Sequence, residues 1–170
     1  MNIFALEIFE EHEQCNFYTV RKIEDKDEIL PSETQKFFEK FYSDEQYKEY
    51  LQEILALLDY IGEKRGANKH LFRPEGKADG LPRNEKKACQ YLELDFANFP
   101  LRLYCLRITD EILILFNGGV KDSVKAQNSK ASMVFYESQQ FCERINKAFS
   151  SKEICIEGKR IVGTEEIIEL

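Results

Sequence analysis

Residues Leu101 to Lys121 read LRLYCLRITDEILILFNGGVK. Two runs rich in β-forming residues flank Asp110-Glu111, so the stretch predicts an antiparallel hairpin. In the first arm Leu103 and Cys105 share one face, while Arg102, Tyr104 and Leu106 share the other. In the second arm both faces are apolar. Such a pair belongs at the centre of a sheet, covered by helices on one side and by a partly polar layer on the other. The hairpin also holds two arginines and a tyrosine, and it ends in Asn117-Gly118-Gly119 and Lys121. The glycine pair reads most simply as a bend at the strand end.

Working outward, FYTVRKIE (Phe17 to Glu24) alternates and predicts an opening strand at or near a sheet edge. Ser32 and Gln35 have capping-box spacing after Pro31, so a helix is expected to run to about Tyr42 with Phe37, Phe38 and Phe41 inward. SDEQ repeats the signal at Ser43 and Gln46, which predicts a second helix. Its apolar stripe is Tyr47, Tyr50, Leu51, Ile54, Leu55, Leu58 and Ile61, and Gly62 and Gly66 are suited to end it. HLFR (His70 to Arg73) reads as a short strand, RPEGKADGLPR as a mobile loop, and YLELDF (Tyr91 to Phe96) as a further strand. A helix is expected near Tyr136 to Phe149, with Phe141, Ile145, Ala148 and Phe149 buried. EICIEGKRIVG then predicts a small hairpin turning at Glu157-Gly158-Lys159.

The fold class that follows is α+β: a compact antiparallel sheet packed against an amino-terminal helical hairpin and a carboxy-terminal helix, with a short C-terminal β-hairpin extension. The 170 residues, 43% hydrophobic, suit one domain over residues 1–170, with a core at about 17–149 and the extension at 150–170. The apolar runs are strand-sized, so no membrane span is expected. The first residues carry glutamates where a targeting peptide carries basic residues. Five cysteines without a CxxC spacing suggest reduced thiols and a cytoplasmic location. His12 and His70 do not stand at ligand spacing from a cysteine, so no metal is expected.

The net charge of −7 is unevenly spread: residues 1–60 carry −9, residues 61–90 carry +4, and residues 91–170 carry −2. The basic segment includes Lys64, Arg65, Lys69, Arg73, Lys77, Arg83, Lys86 and Lys87. It reads either as a solvated loop or as a rim that faces phosphates. Motifs for serine hydrolases, P-loops, dinucleotide folds and HExxH metalloenzymes are absent. What remains is a cationic set of Arg73, Arg83, Arg102, Arg107, Lys121 and Lys125, with Tyr104, Asn117 and His70 as hydrogen-bonding partners. Such a set suits phosphodiester cleavage by a ribose 2′-hydroxyl. That reaction needs a proton acceptor, a proton donor and a cation on the phosphate oxygens, and it can proceed without a metal. Equally, Arg102 and Arg107 can pair with acidic residues or extend along the sheet edge.

The order of a strand, a helical hairpin, an FR strand, the Arg-Leu-Tyr strand, ILILFNGGVKD and the QFCERINKAF helix resembles the RelE/ParE superfamily of type II toxin–antitoxin systems. The HigB-like, phage-derived branch is the most similar. The resemblance spans about Phe17 to Phe149 and is specific over Leu101 to Lys121 and Ser138 to Phe149. It implies a metal-independent, ribosome-associated mRNA endonuclease without cofactor. Carried over by position, Arg102, Arg73, Lys121 and Tyr104 are its catalytic residues, and the other members of the cationic set and basic segment, Arg83, Arg107, Lys125, Lys69 and His70, are the expected RNA contacts. The implied partners are mRNA, the ribosome and a cognate antitoxin of helix-turn-helix type. The chain departs from the family in its acidity, its longer helical hairpin, and a final segment without Tyr or His. A gyrase-directed or other protein-binding module of the same fold, or a degenerate toxin, therefore remains an alternative.

Overall fold

The computed structural model describes residues 3–83, 96–121 and 130–170, with side chains from residue 133 onward in the last segment. The chain runs through β1 (Phe4–Glu10), β2 (Asn16–Lys22), α1 (Glu33–Tyr42), α2 (Lys48–Tyr60), β3 (Arg73–Glu75) and β4 (Ala78–Leu81). It continues through β5 (Leu101–Thr109), β6 (Ile112–Val120), α3 (Lys130–Ser150), β7 (Ile154–Glu157), β8 (Arg160–Gly163) and β9 (Ile168–Glu169). Among the described residues one sheet has the order β3-β4-β5-β6-β2-β1-β9, and β7-β8 form a separate ribbon. The fold is α+β and the sheet is mostly antiparallel, but β2 and β6 pair parallel through Asn16–Thr19 and Ile112–Leu115.

Strand alternation sends side chains to two apolar layers. Phe17, Leu101, Leu103, Cys105, Leu113 and Leu115 pack under α1 and α2 with Phe37, Phe41, Leu51 and Ile54. On the opposite face Phe4, Tyr18, Tyr104, Leu106, Ile114 and Phe116 meet Phe141, Cys142 and Ile145 of α3 and Ile154 and Ile161 of the ribbon. The central position expected for the hairpin, and the split of its first arm between two faces, both hold.

The Asn-Gly-Gly end of the hairpin has a packing reason. The register passes from Leu103↔Gly118 to Cys105↔Leu115, so Phe116 and Asn117 together lie opposite Tyr104 in a bulge. A Cβ on Gly118 would stand 2.0 Å from the Arg102 carbonyl oxygen, so only glycine admits this approach. Asn117 Oδ1 accepts the Gly118 N–H at 2.8 Å, a local bond within the bulge.

Ser32 caps α1 by accepting the Gln35 N–H at 3.2 Å. The reciprocal half of the box does not form, because Gln35 Nε2 donates to Glu39 at 2.9 Å. Ser43 instead closes α1, donating its hydroxyl to the Glu39 carbonyl at 3.1 Å, and α2 begins at Lys48. The α2 stripe is buried at Leu51, Ile54, Leu58 and Ile61, whereas Tyr50 is exposed. A π-turn, Ile61–Arg65, ends α2 at Gly66, whose φ of 78° suits glycine.

Several expectations are corrected. The strand expected at or near an edge is β2, which lies third from one edge of the sheet with Asn16 to Val20 all buried. It lies between β6 and β1 because FALEIFE supplies the next strand outward. His70 to Arg73 is mostly a short 3-10 turn, Lys69–Leu71, capped by Asn68. RPEGKADGLPR is the β3–β4 hairpin, turning at Gly76 with φ of 67°, rather than a mobile loop. Gln139 of α3 holds that turn by accepting the Lys77 N–H at 2.5 Å and donating to the Glu75 carbonyl at 2.8 Å. The expected strand at 91–96 lies outside the described residues apart from Phe96. The C-terminal hairpin forms around Gly158-Lys159, but the tail also adds β9 to the main sheet. Leu170 and Phe4 exchange two backbone bonds at 2.8 and 2.9 Å.

Candidate anion-binding cleft

The sheet divides the cationic residues between its two faces. β4 pairs with β5 through Asp79↔Cys105 and Gly80↔Tyr104, and β3 pairs with β4 through Arg73↔Gly80. Arg73, Glu75, Arg102 and Tyr104 therefore share the α3 face. Asp79 and Arg107 belong to the other.

On the α3 face Arg102 is 4% exposed and engaged internally. Its Nη1 donates to the Pro82 carbonyl at 3.1 Å, and its Nε stands 3.4 Å from Glu75 Oε1. Arg73 Nε approaches the same carboxylate at 3.3 Å. Burial lowers the Arg102 pKa, with neighbouring Glu75 opposing and Arg73 adding to the shift. Tyr104 is buried edge-on against Phe135, and burial pushes its hydroxyl pKa up. This group ties β3, β4 and β5 together around Glu75.

The other face carries a cleft of about 380 Å³, lined by Lys69, Phe72, Pro74, Asp79, Arg83 and Arg107. Three separate segments bring its cations together: Lys69 from the 3-10 turn, Arg83 from just beyond β4, and Arg107 from β5. Arg107 Nε donates to the Ala67 carbonyl at 2.5 Å, and its Nη2 pairs with Asp110. Arg83 Nη1 donates to the Phe72 carbonyl at 3.5 Å. A second depression, lined by Lys69, Arg107, Thr109, Asp110, Glu111 and Gly158, shares two of these cations.

Asp79 is the one carboxylate among the described lining residues. Its Oδ2 accepts the Arg107 backbone N–H at 3.0 Å. Burial raises its pKa above the ordinary carboxylate value, against the lowering effects of that N–H and the Arg107 charge. The cleft thus combines guanidinium forks and an ammonium, which suit phosphate oxygens, with a carboxyl that can hold a proton.

His70 is exposed on the 3-10 turn, and its N–H donates to Asn68. Lys121 follows the end of β6 that pairs with Leu101, whereas Arg107 pairs with Leu113 near the other end. Six strand residues separate those positions on β5, roughly 20 Å. Lys121 is therefore far from Arg107 and is not among the residues that line the cleft, and Lys125 lies outside the described residues. Arg102 and Arg107 belong to one cationic set by composition, but five positions apart on a strand puts them on opposite faces. Asp79 is outside that set; its signal in the sequence is its place in an Ala-Asp-Gly-Leu strand whose other face is small and apolar.

Among the described residues no group of three or more His, Cys, Asp and Glu could hold a metal, and no helix is long and apolar enough to cross a membrane. Comparison with protein-family models, curated proteins and solved structures finds no match.

Proposed function

We propose that the protein is the toxin component of a type II toxin–antitoxin system of RelE/ParE type, acting on mRNA as a ribosome-associated endonuclease. The observation that supports this reading is the convergence of Lys69, Arg83 and Arg107 on one cleft. An acidic chain is a poor general nucleic-acid binder, so a local cationic surface has to supply the attraction to a phosphodiester. In this reading the cleft contacts the RNA, while Arg102, Arg73 and Tyr104 support it from behind the sheet. A helix-turn-helix antitoxin is the proposed protein partner.

A non-enzymatic binding module is the second reading. It is favoured by the exposed acids Glu39 of α1, Glu49 of α2 and Glu45 between them, which would repel RNA and attract a basic protein. Induction in bacteria separates the two. Wild type is expected to arrest growth and shorten messages, and Lys69→Glu to do neither. Absence of arrest by wild type rules out an active toxin, and recovery of one defined protein with RNA unchanged supports the module.

A further inference from the structure

We propose that Asp79 is the proton-transfer group of the Lys69–Arg83–Arg107 cleft, taking the 2′-hydroxyl proton of a bound ribonucleotide and returning a proton to the leaving oxygen. This rests on the RNA reading above and supplies the acid–base function that the cationic residues cannot perform. Arginine and lysine stay protonated near neutral pH, so they stabilise phosphate charge without accepting a proton.

The geometry is that of a fixed carboxyl among phosphate-binding groups. β4 alternation turns Asp79 to the cleft, while Ala78 and Gly80 face α3. The Arg107 N–H anchors one carboxyl oxygen. The charge that acts on it is Arg107 from β5, itself paired with Asp110, while Lys69 from the 3-10 turn and Arg83 from beyond β4 line the same cleft. Pro74, its partner on β3, contributes no charge. Cys105, opposite on β5, donates its thiol to the Asp79 backbone carbonyl at 3.6 Å, and burial keeps that thiol protonated. Burial holds the Asp79 carboxyl above the ordinary carboxylate value, against the lowering by the Arg107 N–H and charge, the direction an acid–base role requires.

The step balances within the site. The 2′-oxygen gives its proton to the Asp79 carboxylate and forms a bond to phosphorus. The bond from phosphorus to the 5′-oxygen breaks, and that oxygen takes the proton from the Asp79 carboxyl. The products are a 2′,3′-cyclic phosphate and a 5′-hydroxyl, with the carboxylate restored.

The test uses the full chain, a labelled single-stranded oligoribonucleotide, and its all-2′-deoxy counterpart as a probe that binds without being cut, each with and without bacterial ribosomes. Asp79→Asn is expected to bind the deoxy probe within about threefold of wild type and to cleave RNA at least 100-fold more slowly, the usual scale of lost acid–base catalysis. The acid limb of the wild-type rate profile should vanish from the residual activity. Asp79→Glu, which keeps a carboxyl, should retain that limb at a reduced rate, and it serves if Asp79→Asn fails to fold. Cleavage by Asp79→Asn at the wild-type rate, or loss of the limb in Asp79→Glu, overturns the role of Asp79 and leaves the RNA reading standing. Wild type that binds RNA without cutting it also overturns that role. Wild type that binds neither probe at low salt overturns the RNA reading itself.

Discussion

At the scale of single residues, Gly118 and Asp79 show how position gives a side chain its meaning. Gly118 is required by a carbonyl oxygen on the neighbouring strand, and this is its contribution to a hairpin that otherwise reads as plain β sequence. Asp79 is polar in a half-buried place, and burial raises its pKa. The folded carboxyl thus holds its proton more tightly than the unfolded one, whose ordinary pKa is about 3.9. That preference contributes stability below the unfolded value and is lost as pH rises through the folded one. Asparagine at this position stays neutral throughout. Asp79→Asn should therefore melt at a higher temperature than wild type at pH 7, with the gap closing as pH falls toward 4. Thermal unfolding across that range checks this, and equal melting temperatures at pH 7 would count against a desolvated carboxyl.

At the scale of elements, the β3–β4 hairpin holds the cleft together, and its supports come from elsewhere. Its turn is bonded to Gln139, Lys77 stands 3.3 Å from Glu143, and Arg102 links Glu75 to Pro82. Arg102→Ala leaves the partly buried Glu75 without its most buried partner, and a pair broken from one side in this way costs about 3 kcal/mol. Arg102→Lys restores the charge but cannot span both acceptors, so it should recover only part of the loss. Urea unfolding measures the energy. Amide exchange should accelerate at residues 73–83 in both variants, although Arg102 lies on the face away from the cleft. Exchange unchanged in this hairpin would remove Arg102 as its support.

At the scale of the whole molecule, the sheet is completed by contacts between distant parts of the chain. β2 reaches β6 in parallel across the intervening helices, and β9 returns from the C-terminal segment to β1. Leu170 is 6% exposed and packs in the same apolar layer as Phe4 and Phe141. Leu170→Ala should cost about 2–3 kcal/mol, as for a buried leucine in a site that relaxes partly. A loss below about 0.5 kcal/mol would mean that the final residues add little to the core, on the scale of a surface substitution.

Elements with short-range signals are legible in the amino-acid order. Ser32 marks the start of α1, three- and four-residue steps describe the buried face of α2, and strict alternation sorts Leu103 and Cys105 from Arg102 and Tyr104. Which segments pair is set by long-range contacts. The turn chemistry of RPEGKADGLPR fits an open loop as well as a hairpin, and the supporting Gln139 lies more than fifty residues away. The cleft has the same character. Lys69, Arg83 and Arg107 follow no common period, and Asp79 becomes distinctive only when β5 covers one side of it. Local periodicity governs which face a side chain takes, whereas strand order depends on the long-range burial that closes each loop, and only that closure gathers separated charges into one site.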